Sequence, residues 1–369
     1  MTLLFLCGDV MTGRGIDQVL PHPSDPRLHE PYVRDARTYV ELAERANGAI
    51  PRPASFAYIW GAALADLARV APDARIVNLE TSVTRSGAYW PGKGIHYRMH
   101  PANVGCLTAA GIDCCVLANN HVLDWGFDGL VETLDVLRGA GIRTAGAGRN
   151  LGEAQAPASI ELGAGRVLVF ACGAATSGIP SAWAATESAP GVRLLSDLSR
   201  AAARRLSRYI EPLKAAGDVV VVSVHWGGNW GYAIPEDERI FAHELIDGGC
   251  VDVVHGHSAH HAKGIEVYRG KLILYGCGDF LTDYEGITGH ERYRGDLSLM
   301  YFVTLDASSG RLQRCEITPL KMLRFSLQRA ADADAAWLAA MLTREGEALG
   351  TSASLSADGR LMLRFRVRA

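Results

Sequence analysis

Five apolar stretches of this chain each run straight into side chains that can bind a metal ion. LLFLC leads to Asp9, ARIVNL to Glu80, DCCVLA to Asn120 and His121, VVVVSV to His225, and VDVV to the cluster His255, His257, His260 and His261. Carboxylate, carboxamide and imidazole groups together suit Mn, Fe or Zn. Two divalent transition ions about 3.5 to 4 Å apart clamp the attacking and leaving oxygens of a displacement and generate hydroxide at neutral pH. Cations that close repel each other, and a shared carboxylate offsets the repulsion. Glu80, in the middle of the set, is the candidate bridge.

Residues so far apart in sequence need a scaffold that brings them together. Short, β-branched, continuously apolar runs are the pattern of strands covered on both faces. Ligands of open α/β sheets collect beyond the carboxyl ends of such strands, where these polar residues stand. The intervening sequence alternates accordingly, giving an α/β class. Helices are expected in YVELAERA, FAYIWGAALADLARV, GFDGLVETLDVLRGAG, SDLSRAAARRLSRYIEPLKAAG and DERIFAHELIDGG, and a further buried strand in RVLVFACG. Residues 17–54, rich in Pro, His and charge, read as an irregular excursion on the ligand side of the first strand, suited to a lid or pocket wall. Beyond residue 265 the pattern turns antiparallel, with one hairpin turning at Arg269-Gly270 and another near Ser309-Gly310, then a helix in DADAAWLAAMLTREGEAL and a last strand in LMLRFRVR.

Composition narrows the function classes. With 369 residues and 48% of them hydrophobic, the chain can bury a large core as one big domain or two modest ones. Its 37 basic and 40 acidic residues contain no basic block to track a phosphate backbone, so nucleic acid is excluded as a main partner. The apolar start MTLLFLCGDVM is too short to span a membrane and lacks the basic region and cleavage site of a secretory signal. No membrane insertion and a cytoplasmic location are the expectation. The eight cysteines form no CxxC pair, and Cys7, Cys114, Cys115, Cys172 and Cys277 sit in or beside apolar runs, which suits reduced, buried thiols. The sequence leaves the oligomeric state open.

The blocks GDVMTGR, NLETSVT, LANNHVLDWG, VVSVHWGGNWGY and GIEVYRGKLILYGCGDF, in this order, resemble the CapA family of poly-γ-glutamate capsule biosynthesis proteins, itself similar to the calcineurin-like metallophosphoesterases. The resemblance covers residues 1–325, leaving 326–369 as a helix-and-strand extension packed on the same domain. It implies a four-layer α/β/β/α sandwich with a dinuclear metal centre above the sheets. By position, Asp9, Glu80, Asn120, His225, His257 and His260 fall on metal ligands, with Glu80 where a bridging Asp usually stands. His121 falls on the histidine that protonates a leaving oxygen after a bridging hydroxide attacks phosphorus. The chain departs from the pattern at Met11, where the phosphoesterase motif has a histidine, and at Glu80, whose arm is one methylene longer. The capsule proteins are usually membrane-anchored, whereas no anchor segment is expected from this sequence.

Each residue also has a plainer reading. Asp9 alone would be a turn residue, and His225 a buried imidazole bonded to carbonyls. His121 can orient Asn120 together with Asp124, and Asp124 can instead cap the helix beginning near Gly126. Of the four imidazoles from His255 to His261 two are expected as ligands, with His255 either a ligand or a support for one. In KGIHYRMHP, Lys93, His96, Arg98 and His100 can contact an anionic substrate or form a solvated face. Two functions remain: a hydrolase of a small anionic or phosphorylated substrate, and an accessory protein of poly-γ-glutamate synthesis or export that binds a γ-glutamyl polymer, with or without cleaving an amide.

Overall fold

The computed structural model describes residues 1–366 and shows a mixed α/β fold built on two large sheets. The first sheet has ten strands among the described residues. Its main path runs Thr351–Leu355, Leu361–Phe365, Leu312–Leu323, Leu297–Leu305, Thr2–Val10, Ala74–Leu79, Cys114–Val116, Arg143–Ala145. Asp279–Leu281 lies parallel beside the end of Thr2–Val10. The seven-stranded second sheet runs Leu194–Leu195, Arg166–Ala174, Val219–His225, Val253–His257, Lys271–Leu274, Ile265–Tyr268, with Ala158–Glu161 on Arg166–Ala174.

The unbroken valine run Val219–Val222 follows from what covers each face. Val219 and Val221 join one continuous core with Leu4, Phe5 and Ile76 of the first sheet. Val220, Val222 and Val224 face a second core with Leu206 and Ile210 of helix Arg200–Ile210 and Phe241 and Leu245 of helix Glu236–Asp247. Alternate side chains thus enter different apolar layers, and the first polar residue, Ser223, comes only near the strand end, where it bonds His257 Nε2 at 2.7 Å.

Both hairpins form where expected: Ile265–Tyr268 pairs antiparallel with Lys271–Leu274, and Leu297–Leu305 with Leu312–Leu323. The expected helix FAYIWGAALADLARV is split into a short turn at Tyr58–Trp60 and a helix at Ala63–Val70. Gly61 between them has φ +44, and a β-carbon there would sit 2.1 Å from the Leu327 carbonyl oxygen. A continuous helix would collide with strand Ser326–Arg329. The expected last strand LMLRFRVR is a strand over Leu361–Phe365, and its final residues lie outside the described ones. It pairs with Leu312–Leu323, while Thr351 donates to the Ile265 carbonyl at 2.6 Å, so residues beyond 326 touch both sheets. All eight cysteines are buried and unpaired. No helix among the described residues is long and apolar enough to cross a membrane.

Candidate metal centre

The carboxyl ends of the two sheets meet in one place. Asp9 occupies the last turn but one of the pleat in Thr2–Val10, Glu80 follows Ala74–Leu79 directly, and His225 and His257 end neighbouring parallel strands in mutual register. Ligand atoms of Asp9, Glu80 and His225 all lie within 4.8 Å of one another, and all three residues are buried. Asn120 joins them, its Oδ1 3.2 Å from His225 Nε2. His257 holds Ser223 Oγ through Nε2 at 2.7 Å and brings Nδ1 to 3.4 Å from Asp9 Oδ1, too poorly aligned for a hydrogen bond. His260 Nδ1 lies 2.9 Å from Asp279 Oδ1, and Asp279 is the parallel register partner of Asp9.

Backbone contact sets that last pairing. A β-carbon at Gly8 would stand 1.7 Å from the Gly278 carbonyl oxygen, so only glycine lets the two segments approach this closely. Asp9 then donates its N–H to Gly278 at 2.9 Å.

The electrostatics suit a cation. Burial raises the Glu80 carboxyl well above the usual carboxylate range, and the neighbouring Asp9 and Asp279 charges add to this. Burial also works to raise Asp9, but His257, His225 and the amide of Asn78 outweigh it and hold that carboxyl low. Burial takes His225 down to about 3, against the attraction of Asp9. Three carboxyl groups are therefore crowded out of water, with the His225 imidazole held neutral beside them, an arrangement a cation relieves. Two buried atoms, His257 Nδ1 and Asp279 Oδ2, have no hydrogen-bond partner. Unsatisfied donors and acceptors at such depth call for an explanation, and an oxygen- and nitrogen-ligated divalent ion fits them.

A second constellation adjoins the first. His121 Nε2 is 3.8 Å from Glu80 Oε1, and its Nδ1 is 2.7 Å from Asp124 Oδ2. Asp124 also accepts from the Tyr97 N–H at 2.7 Å and from Lys93. Both its oxygens are thus committed to this network, and the helix Gly126–Gly139 begins without a side-chain cap. Lys93 Nζ further donates to the Asn120 carbonyl and lies 3.2 Å from His121 Nδ1. Burial lowers His121 to about 4, partly offset by Asp124.

Other expected residues stand elsewhere. Arg98 turns its guanidinium to the carbonyls of Ser86 (2.8 Å) and Asp25 (2.9 Å) and stacks over Trp125, away from the cluster. His96 bonds the Trp90 carbonyl, and His100 accepts from the Ala102 N–H. His255 bonds the Cys7 carbonyl through Nε2 at 2.8 Å, tying the two sheets together. His261 accepts from the Gly231 N–H and faces the Ala262 carbonyl, so backbone occupies both its nitrogens.

Three residues at the centre were not anticipated. Asn78 donates to Asp9 Oδ1 at 2.8 Å and lies 3.3 Å from Glu80 Oε2 and 3.5 Å from His225 Nδ1. Asn119 in turn donates to Asn78 Oδ1 at 3.0 Å and receives the His121 N–H. The signal for Asn78 was a lone amide inside an apolar strand two residues before Glu80, hence on the same face. Asp279 follows the apolar run KLILYGC and has the same strand-end signature as the other ligands.

Residues 3–284 match the family described as bacterial capsule synthesis protein PGA_cap. A "probable polyglutamine synthesis accessory protein" of Mycobacterium tuberculosis is 48% identical over 349 residues, spanning 94% of this chain and 92% of that protein. The "PGA biosynthesis protein CapA" of Bacillus subtilis is 28% identical over 314 residues, 85% of this chain and 70% of its own length. The "capsule biosynthesis protein CapA" of Bacillus anthracis is 29% identical over 195 residues, 52% of this chain and 45% of its own. The match spans three quarters of the chain, and its compass takes in every strand end of the cluster: this protein belongs to the CapA-like bacterial capsule synthesis family.

Proposed function

We propose that this protein is a metal-dependent hydrolase, a phosphoesterase using a dinuclear centre. The observation that carries the reading is the buried Asp9, Glu80 and His225 within 4.8 Å of one another, with His121 3.8 Å from Glu80. Asp9, Glu80, Asn120 and His225 would hold the ions, with His257 and His260 completing the set and Glu80 shared. Divalent Mn, Fe or Zn bound there supplies positive charge and an activated water at neutral pH. His121 exchanges a proton with the leaving oxygen through Nε2. Asp124 fixes its ring by holding Nδ1, and Lys93 fixes Asp124. The four-layer sandwich, a 1–325 family domain with residues 326–369 as its extension, and a cytoplasmic location belong to the same proposal.

A second reading is a non-catalytic or amide-cleaving accessory role on a γ-glutamyl polymer; the mycobacterial relative is named as a probable polyglutamine synthesis accessory protein. Met11 favours it: where the phosphoesterase motif has an imidazole, a buried thioether accepts the Tyr284 hydroxyl at 3.6 Å. Elemental analysis of the purified protein, with a screen of phosphomonoesters, phosphodiesters and γ-glutamyl amides, separates the two. Tightly held transition ions and turnover lost in Asp9→Ala and His225→Ala support the hydrolase. A folded protein that binds the polymer, carries no metal and turns over nothing overturns it.

A further inference from the structure

A cleft of about 690 Å³ meets the ligand cluster only at His260. His260 links it through Asp279 to the position of Asp9. The wall of the cleft is aromatic: Trp230 lies flat against His290, 4.1 Å between ring centres, and Tyr284 stands edge-on to His260 at 5.5 Å. Tyr32, 67% exposed, and Ile287, 50% exposed, add large apolar faces left in water. A concave, mostly apolar space of this size beside polar groups is the usual form of a small-molecule site.

The charges of the cleft say what it does not hold. Arg14 is taken by Asp283 and Glu30, Arg294 by Asp296 and Asp334, and Lys321 by the same pair as Arg294. Glu285 and Glu291 line it too, satisfied by backbone N–H groups. A polyanionic chain laid here would pass carboxylates and find every lysine and arginine of the lining already paired. We infer that the cleft takes a flat, uncharged, apolar-faced group of the substrate, joined to an anionic ester seated at the carboxylate and imidazole cluster. The inference rests on the hydrolase reading for the position of the ester.

The test is calorimetric titration of the Mn(II)-loaded full chain with methylphosphonate, 1-naphthylphosphonate and linear tetra-γ-glutamate, repeated on Trp230→Ala and Ile287→Asp. The naphthyl compound is expected to bind about tenfold or more tighter than the methyl one. Both substitutions should remove that difference and leave methylphosphonate affinity unchanged, and the tetraglutamate should bind more weakly than the naphthyl compound. Equal affinity for the two phosphonates overturns the cleft assignment and leaves the hydrolase reading standing. So does a naphthyl preference that survives both substitutions, or a tetraglutamate held more tightly and weakened by them. If methylphosphonate does not bind, the hydrolase reading fails instead. The cleft is then decided by whether the naphthyl compound binds the parent and is weakened by both substitutions.

Discussion

The two sheets bring opposite chemistry to their meeting point. The first contributes acids, Asp9, Glu80 and Asp279, and the second contributes imidazoles, His225 and His257. Either set alone is unfavourable: buried carboxylates repel one another, and a buried imidazole nitrogen such as His257 Nδ1 is left without a partner. Where the two sheets share one core each becomes a partner for the other, so the site exists only at their meeting point. Asn78, from the acidic sheet, reaches across to both types and holds the join.

The comparison is broken most severely by removing one member from each side. Asp9→Ala and His225→Ala should each lower metal-dependent turnover by more than about a hundredfold, the upper end for losing a group that merely supports a ligand. Metal content by elemental analysis should fall in both, with circular dichroism unchanged. Loss on only one side would show that a single sheet suffices. His121→Ala should reduce kcat by roughly 10²–10⁴ while metal stoichiometry stays as in the parent, as the proposed role of handling a proton without holding an ion requires. A parallel loss of metal would instead make His121 a ligand.

Asn78→Leu sharpens the comparison at the join. Its removal frees Asp9 and Glu80 to move apart, and metal affinity measured by chelator competition should weaken about 10- to 100-fold. The smallest effect is expected at Glu238, a buried acid behind the imidazole sheet that lacks the amide and imidazole partners Asp9 enjoys. Burial raises it from 4.5 to about 7, with Lys263 offsetting only part, and its Oε2 has no partner. The folded state therefore binds this proton more tightly than the unfolded chain, and stability falls as pH rises from 4.5 towards 7. Glu238→Gln should stabilise the protein by about 1–3 kcal/mol at pH near 8 and by almost nothing near pH 4, read from urea unfolding at both. Equal effects at the two pH values would mean that the carboxyl is not forced to ionise in place.

The strand ends were legible because strands covered on both faces are apolar along most of their length, so Asp9, Glu80 and His225 stood out where the runs stop. The direction of a side chain on a loop was not. Lys93 and Arg98 lie five residues apart in one basic segment, yet Lys93 enters the His121 network and Arg98 turns to a carbonyl pair on the other side. Nothing in residue type separates them. His255 and His257 share a strand face, and only depth distinguishes them: one pleat inward, His255 meets the Cys7 carbonyl, whereas His257 meets Asp9. The helix break at Gly61 came from a strand more than 250 residues away, which a local pattern does not register. The α/β class followed from alternation, while Asn78 and Asp279 were hidden by a rule that looked only at the final residue of each familiar run.

The Gly8 and Gly278 contact has a consequence for how much this protein can change. Because main chain rests on main chain there, the separation between Asp9 and Asp279 is fixed by peptide geometry and not by the bulk of any side chain. Substitutions that swell or shrink the surrounding core can be absorbed without altering that gauge, whereas a single methyl group at Gly8 would wedge the two acids apart.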